Sequence, residues 1–305
     1  MRGSLIGPRI FSIKSRTWRG LEFKNPIGIA GGVDKNGNCV QGWWSLGAGF
    51  IEVGTVTPRG QAANPGKIID RDLSTSALWN KMGFPNGGSQ SLKQCLKAIS
   101  RPYATPIFVN IGKNRDTPNE NAVNDYTTLI SELHEVADAF VVNISSPNTK
   151  GLRDLQTADT LRALLADVTK TSARYKKPVL LKLSPDLGEE QLRHTLDVSI
   201  ECGVDGWILT NTTLTRATGS KFPAEGGVSG APLTDLSRAC LSTAIDHLGS
   251  RKGDRLIVSV GGILSTDEIK SRLEMGADLV QVYSGLIFNG PGFIQKAVTE
   301  LRLAL

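Results

Sequence analysis

Histidine is scarce in this chain: His134, His194 and His247 are the three among 305 residues. All three fall in helix-like stretches away from the glycine-rich motifs, which reads them as packed or solvated side chains, not bases or ligands. Cysteine is almost as rare. Cys39, Cys95, Cys202 and Cys240 contain no C-x-x-C pair, and their spacing fits neither a metal site nor a disulfide framework. They read as buried thiols of a reducing compartment, and no metal is expected. No apolar run approaches the roughly 18 residues of a membrane-spanning helix. Zinc-finger spacing and aromatic RNA-binding signatures are missing, and the basic residues behind the net charge of +6 mostly alternate with acids. That argues against nucleic acid and for an anionic small molecule as the partner. Acids are absent from the first 20 residues, where Arg2, Arg9, Lys14, Arg16 and Arg19 interleave with Leu5, Ile6, Ile10, Phe11 and Ile13. This basic segment reads as a contact for anionic lipid, as the remnant of a targeting peptide, or as a plain basic terminus with a vector-like start. Pro8 breaks any continuous amphipathic helix through it.

What the chain does have is a repeating apolar pattern. Short β-type runs recur at Ile27–Ala30, Phe50–Val53, Ile107–Ile111, Ala139–Ile144, Val179–Leu183, Gly206–Thr210, Leu256–Val260 and Leu279–Tyr283. They are nearly continuous and do not alternate, as parallel strands buried on both faces require. Helical patterns follow, among them Thr157–Tyr175, Gly188–Cys202, Thr266–Met275 and Gly292–Leu303, with Asp186 and Ser265 as candidate caps. Eight strand–helix units predict a closed (β/α)8 TIM barrel, with a doubly wound open sheet as the alternative. The basic segment 1–20 would precede a single catalytic barrel over 21–305. The stretches Pro58–Gly88 and Thr212–Pro232 are too long for simple connections and follow strand ends, so they are expected as excursions over the barrel's C-terminal mouth.

Barrel active sites lie at the carboxyl ends of strands, so the polar residues there matter most. They are Gly31 to Lys35, Gly54 to Pro58, Asn110 to Asn114, Asn143 with Ser145 to Asn148, Lys182, Thr210 to Thr213, Gly261-Gly262 and Tyr283 to Gly285. Such amides and hydroxyls suit a planar ligand rich in donors and acceptors, and Lys35 and Lys182 suit anionic charge. Gly261-Gly262 with Tyr283-Ser284-Gly285 match the phosphate site that barrels build after their last two strands.

From about Leu21 to the C-terminus the chain resembles the class 2, quinone-linked dihydroorotate dehydrogenase family. The resemblance is carried by Phe23 to Gly28, Gly32-Val33-Asp34-Lys35-Asn36-Gly37, Glu52 to Pro58, Asn80-Lys81-Met82-Gly83-Phe84, Asn110 to Asn114, Asn143 to Asn148 with Gly151-Leu152-Arg153, Lys182 to Asp186, Thr210 to Thr213, Gly226 to Gly230 and Gln281 to Gly285. It implies an FMN flavoprotein that oxidises dihydroorotate to orotate in pyrimidine biosynthesis and passes the electrons to a quinone. By that resemblance Gly31, Gly32, Val33, Asp34, Lys35, Thr55, Asn110, Asn143, Lys182 and Thr210 would contact the flavin ring and ribityl chain, with Gly230, Gly262, Tyr283 and Ser284 at the phosphate. Lys35, Asn80, Lys81, Met82, Gly83, Phe84, Asn143, Asn148, Asn211 and Thr212 would hold dihydroorotate. Ser146 would take the C5 proton while hydride passes from C6 to flavin N5, with Thr55 as a candidate relay for the serine's proton. The family further implies peripheral membrane contact through an N-terminal segment, at a bacterial or mitochondrial inner membrane. Two departures stand out. Pro85 precedes Asn86 where the family continues directly with Asn, and only 20 residues precede Leu21. The alternative functions are another FMN-dependent barrel oxidoreductase, which would share the phosphate site without needing Asn80, Ser146 and Asn211 together, and a flavin-free phosphate-binding barrel lyase or isomerase.

Overall fold

Val, Ile, Leu and Phe dominate the eight apolar runs, and each run becomes a parallel strand with almost no exposed atom. The computed structural model describes residues 15–149, 151–156 and 158–303. In chain order the strands are β1 (Arg16–Trp18), β2 (Leu21–Phe23), β3 (Ile27–Asp34), β4 (Phe50–Val56), β5 (Arg59–Gln61), β6 (Ile69–Asp72), β7 (Ala77–Asn80), β8 (Asn86–Gly88), β9 (Ile107–Ile111), β10 (Ala139–Asn143), β11 (Val179–Leu183), β12 (Gly206–Leu209), β13 (Gly227–Gly230), β14 (Leu256–Val260) and β15 (Leu279–Val282). Eight of them close a barrel in the order β10-β11-β12-β14-β15-β3-β4-β9, so the open-sheet alternative is excluded. The expected helices form as Ala158–Arg174, Glu189–Glu201, Thr266–Glu274 and Phe293–Leu303. Ser265 caps its helix by accepting from Glu268 N–H, whereas Asp186 caps nothing and instead takes the Leu214 N–H and the Arg153 guanidinium.

Alternation along the strands sorts the barrel interior into layers. Phe50, Phe108, Val141, Leu180, Ile208 and Leu279 form an apolar lower layer with Phe23 beneath it. Two residues further along the same strands stand Glu52, Asn110, Asn143, Lys182, Thr210 and Gln281, all buried. The β1–β2 hairpin lies at the opposite end from these polar residues. There Arg16 pairs with Asp278, Arg19 pairs with Asp205 and Asp254, and Phe23 meets Phe50 and Phe108 edge-on. Arg2, Arg9 and Lys14 of the basic segment lie outside the described residues. No helix among the described residues is long and apolar enough to cross a membrane.

The two long connections fold over the mouth and bind each other. β5 pairs with β8, β6 with β7, and β7 with β13, so the second excursion adds a strand to the first. Arg216 fastens the rest of that second loop by donating to the carbonyls of Leu214, Pro223, Glu225 and Gly226. The expectation of four buried thiols is corrected here: Cys240 alone is buried, Cys39 is exposed, and Cys95 and Cys202 are half-buried. These thiols sit on connections and helix faces, where apolar burial is incomplete.

Candidate active site

A cavity of about 920 Å³, partly open to solvent, occupies the barrel mouth beneath the two excursions. Its wall contains Gly31, Gly32, Lys35, Thr55, Asn80, Met82, Gly83, Phe84, Asn110, Asn143, Ser146, Asn148, Lys182, Thr210, Asn211, Thr212, Gly262, Tyr283 and Ser284. Ala30, Ser229, Leu233, Val260, Gly261, Ile263 and Gln281 complete it. Residues distant in sequence thus meet because each ends a barrel strand or sits in a loop folded over one. Four expected site residues stand outside the wall. Val33 packs outward on the hydrophobic core. Asp34 accepts the N–H groups of Asn38 and Cys39 at 3.0 and 2.8 Å and so fixes the turn after β3. Lys81 pairs with Glu225 at 2.6 Å, tying one excursion to the other. Gly230 has φ +87°, and a Cβ there would lie 2.1 Å from the Ser76 carbonyl, so the β13–β7 approach requires glycine.

Asn143 is the most connected side chain of the wall. Its Nδ2 donates to Thr55 Oγ1 at 2.9 Å and to Asn110 Oδ1 at 3.3 Å, while its Oδ1 accepts from Ser145 Oγ at 3.1 Å and Asn211 Nδ2 at 3.4 Å. Ser146 Oγ accepts the Asn148 N–H at 3.2 Å, and its own hydrogen has no acceptor among the described residues. Thr55 Oγ1 accepts from Asn143, and no direct hydrogen bond joins it to Ser146. Asn148 Nδ2 donates to Asn80 Oδ1 at 2.8 Å and joins the excursion to the strand end, while Asn148 Oδ1 is buried without a partner. Asn86, displaced by Pro85, does not face the cavity. It anchors the loop by donating to Thr57 Oγ1 and to the Phe84 carbonyl.

Charge is arranged in two places. Lys35 Nζ donates to the Gly32 carbonyl at 2.6 Å, and burial holds its pKa below the ordinary lysine value against the raising effect of Asp34. Lys182 Nζ lies 2.9 Å from Glu52 Oε1, a fully buried carboxylate that also accepts from Asn110 Nδ2 and, at 2.6 Å, from Gln281 Nε2. Sequence reading assigned Glu52 and Gln281 no role. The available signal was the two-residue step from an apolar to a polar side chain along β4 and β15.

At the far end of the cavity Gly261 and Gly262 have φ +114° and +70°, and a Cβ on Gly262 would lie 2.3 Å from Thr234 Oγ1. This close approach is held from behind by Arg272, fully buried, which donates to Glu268, Ser259 Oγ, the Thr234 carbonyl, Ser237 Oγ and the Gly261 carbonyl. The wall fits FMN in its donor set. Lys35, Lys182, five asparagines and Gln281 line the cavity, and at Gly32 (φ +98°) a Cβ would meet only the Tyr283 ring edge at 3.4 Å and Lys35 Nζ at 3.9 Å. Glycine there keeps that space clear for a ligand. Among the described residues no group of three or more His, Cys, Asp or Glu side chains is gathered to hold a metal ion.

A family model described as dihydroorotate dehydrogenase matches residues 13–305. The dihydroorotate dehydrogenase (quinone) of Dichelobacter nodosus is 43% identical over 306 residues, covering 97% of this chain and 90% of that relative. The protein of the same name from Sulfurimonas denitrificans is 42% identical over 290 residues, covering 95% and 80%. Among solved structures, DHODH from Eimeria tenella in complex with ferulenol is 32% identical with a TM-score of 0.89, covering 99% of this chain and 86% of that one. The ligand-free form from the same organism has a TM-score of 0.86 at 33% identity, covering 95% and 86%.

Proposed function

The chain belongs to the dihydroorotate dehydrogenase family, and from that premise we propose how its residues divide the work. The reaction is the oxidation of dihydroorotate to orotate in pyrimidine biosynthesis. FMN, when bound, supplies the acceptor for the hydride that leaves C6, and a quinone is the final oxidant. Gly31, Gly32, Thr55, Asn110, Asn143, Lys182 and Thr210 would hold the ring and ribityl chain. Gly262, Tyr283 and Ser284 would hold the phosphate. Val33, Asp34 and Gly230 would serve from behind, by shaping the backbone around those contacts.

Dihydroorotate would be held by Lys35, Asn80, Met82, Gly83, Phe84, Asn143, Asn148, Asn211 and Thr212, with Lys81 fixing the excursion that carries the central part of that set. Ser146 takes the C5 proton, so that the C5–H and C6–H bonds give way to the ring double bond. A serine hydroxyl is a weak base at its ordinary pKa and needs support. The Asn148 N–H aimed at Ser146 Oγ would supply some: it stabilises the alkoxide that remains once the hydroxyl proton has passed to a water of the cavity, and that alkoxide takes the C5 proton. Burial of Ser146 limits its contact with bulk water. The segment 1–20 would bring the enzyme to a membrane surface peripherally, where a lipid-soluble quinone is found.

The observation that carries this reading is the meeting of Ser146, both lysines and five asparagines (Asn80, Asn110, Asn143, Asn148 and Asn211), brought from several strand ends and loops into one cavity. The test is Ser146→Ala. The variant should bind FMN as the parent does, while reduction of that FMN by dihydroorotate slows by about 10²–10⁴-fold. An unchanged rate of reduction removes Ser146 as the base.

A further inference from the structure

Glu52 is an ionisable group the reaction above leaves unused. It is fully buried in the upper layer of the barrel interior. Burying such a group is costly unless it is hydrogen-bonded and paired. Glu52 is both: Lys182 from β11, Asn110 from β9 and Gln281 from β15 all donate to it. Both oxygens act only as acceptors, as a carboxylate requires. The backbone makes room for it too, since a Cβ on Gly31 would lie 2.2 Å from Glu52 Oε1. Gly31 is therefore needed for the approach of β3 to this carboxylate as well as for any ligand contact.

We infer that Glu52 is a positioning residue that sets the electron affinity of the site through Lys182. The ammonium of Lys182 reaches the cavity wall, whereas Glu52 stands behind it. With FMN as the occupant, on which this step rests, the ammonium favours the reduced cofactor because reduction adds negative charge beside it. Glu52 opposes that effect by charge and fixes the place from which Lys182 acts. The pair is neutral as a whole, so the field at the cavity is a small difference between two large terms. Removing either partner shifts it strongly, and in opposite directions.

The measurement is the midpoint potential of the bound FMN, by dye equilibration of the holoenzyme under anaerobic conditions. Glu52→Gln leaves a net positive pair and should raise the equilibrium constant for two-electron reduction about tenfold, about 30 mV. Lys182→Met leaves a net negative pair and should lower it by at least a comparable factor, whereas the double variant should return to within about threefold of the parent. A merely structural Glu52 would not give shifts of opposite sign that cancel. Equal potentials for Glu52→Gln and the parent overturn the inference, as do two single shifts of the same sign. Should Glu52→Gln fail to fold, the comparison of Lys182→Met with the double variant decides alone: identical potentials in those two mean that Glu52 has no influence. Purified parent protein without bound FMN, and with no affinity for added FMN, defeats the cofactor reading itself. FMN bound normally with an unmoved potential defeats only the role of Glu52.

Discussion

Replacing Arg272 by Met is a severe test of how the Gly261-Gly262 end of the cavity, the proposed phosphate site, is built. The guanidinium is wholly buried and makes five hydrogen bonds: to Glu268 at 2.6 Å, Ser259 at 3.1 Å, the Thr234 carbonyl at 3.0 Å, Ser237 at 2.7 Å and the Gly261 carbonyl at 3.2 Å. Met fills most of the volume but donates nothing. Ser237 Oγ can still donate its single hydrogen to the Gly261 or the Thr234 carbonyl, and Glu268 keeps Arg238 at 3.3 Å. The loss is therefore that of one partner of a mostly buried pair, about 3–5 kcal/mol. For a chain of 305 residues that lowers the Tm by about 5–8 °C. Because two of the five bonds end at Gly261 and Thr234, which frame Gly262, FMN affinity should fall by about tenfold or more, 1.4 kcal/mol. Arg272→Lys keeps the charge but not the fork, and should recover only part of both losses. Calorimetry and FMN titration of the apoprotein measure the two effects. A Tm within about 2 °C of the parent with unaltered FMN affinity would refute the reasoning.

Gly31→Ala puts a methyl 2.2 Å from Glu52 Oε1 and 3.1 Å from Asn110 Nδ2; it should cost about 3 kcal/mol or more in urea unfolding, and a loss under about 1 kcal/mol means the backbone relaxes freely. Burial lowers the pKa of Lys35, and a bound carboxylate favours its ammonium. KM for dihydroorotate should therefore rise by up to about one log unit per pH unit once the pH passes that lowered pKa, and Lys35→Met should abolish the slope. The unfolded lysine binds more protons than the folded one between the lowered and ordinary pKa, so folding stability should increase with pH across the same window. Burial pushes the Cys240 thiol up to about 11, and Cys39 is exposed; mass spectrometry after brief treatment with a thiol reagent at neutral pH should find Cys39 labelled and Cys240 untouched until the protein unfolds.

The barrel was legible because burial on both faces leaves a run such as Val179–Leu183 with one polar residue, Lys182, at the place where the strand meets the mouth. Strand ends then collected Asn110, Asn143, Lys182 and Thr210 without any knowledge of neighbours in space. The excursions were legible only as length and glycine content. Their strands are three or four residues long, β6 is largely exposed, and β7 finds its partner β13 some 150 residues away. No local pattern encodes such pairing. The outward turn of Val33 and Asp34 was hidden for a related reason. A glycine pair ahead of them, with Gly32 at φ +98°, sets which residues face the cavity and which face the next helix. Glu52 was hidden because a single acid in an apolar run has no visible partner until β9, β11 and β15 stand beside it.

In the proposed reaction dihydroorotate gives up a proton to Ser146 and a hydride to FMN in this one cavity. Its most direct test is anaerobic mixing of the purified, flavin-loaded protein with dihydroorotate while the flavin absorbance near 450 nm is followed, about the wavelength of the oxidised flavin. Complete bleaching is expected, with one orotate formed per flavin and recovery of the colour on adding a quinone. A protein that holds FMN but keeps its colour in the presence of saturating dihydroorotate would contradict it.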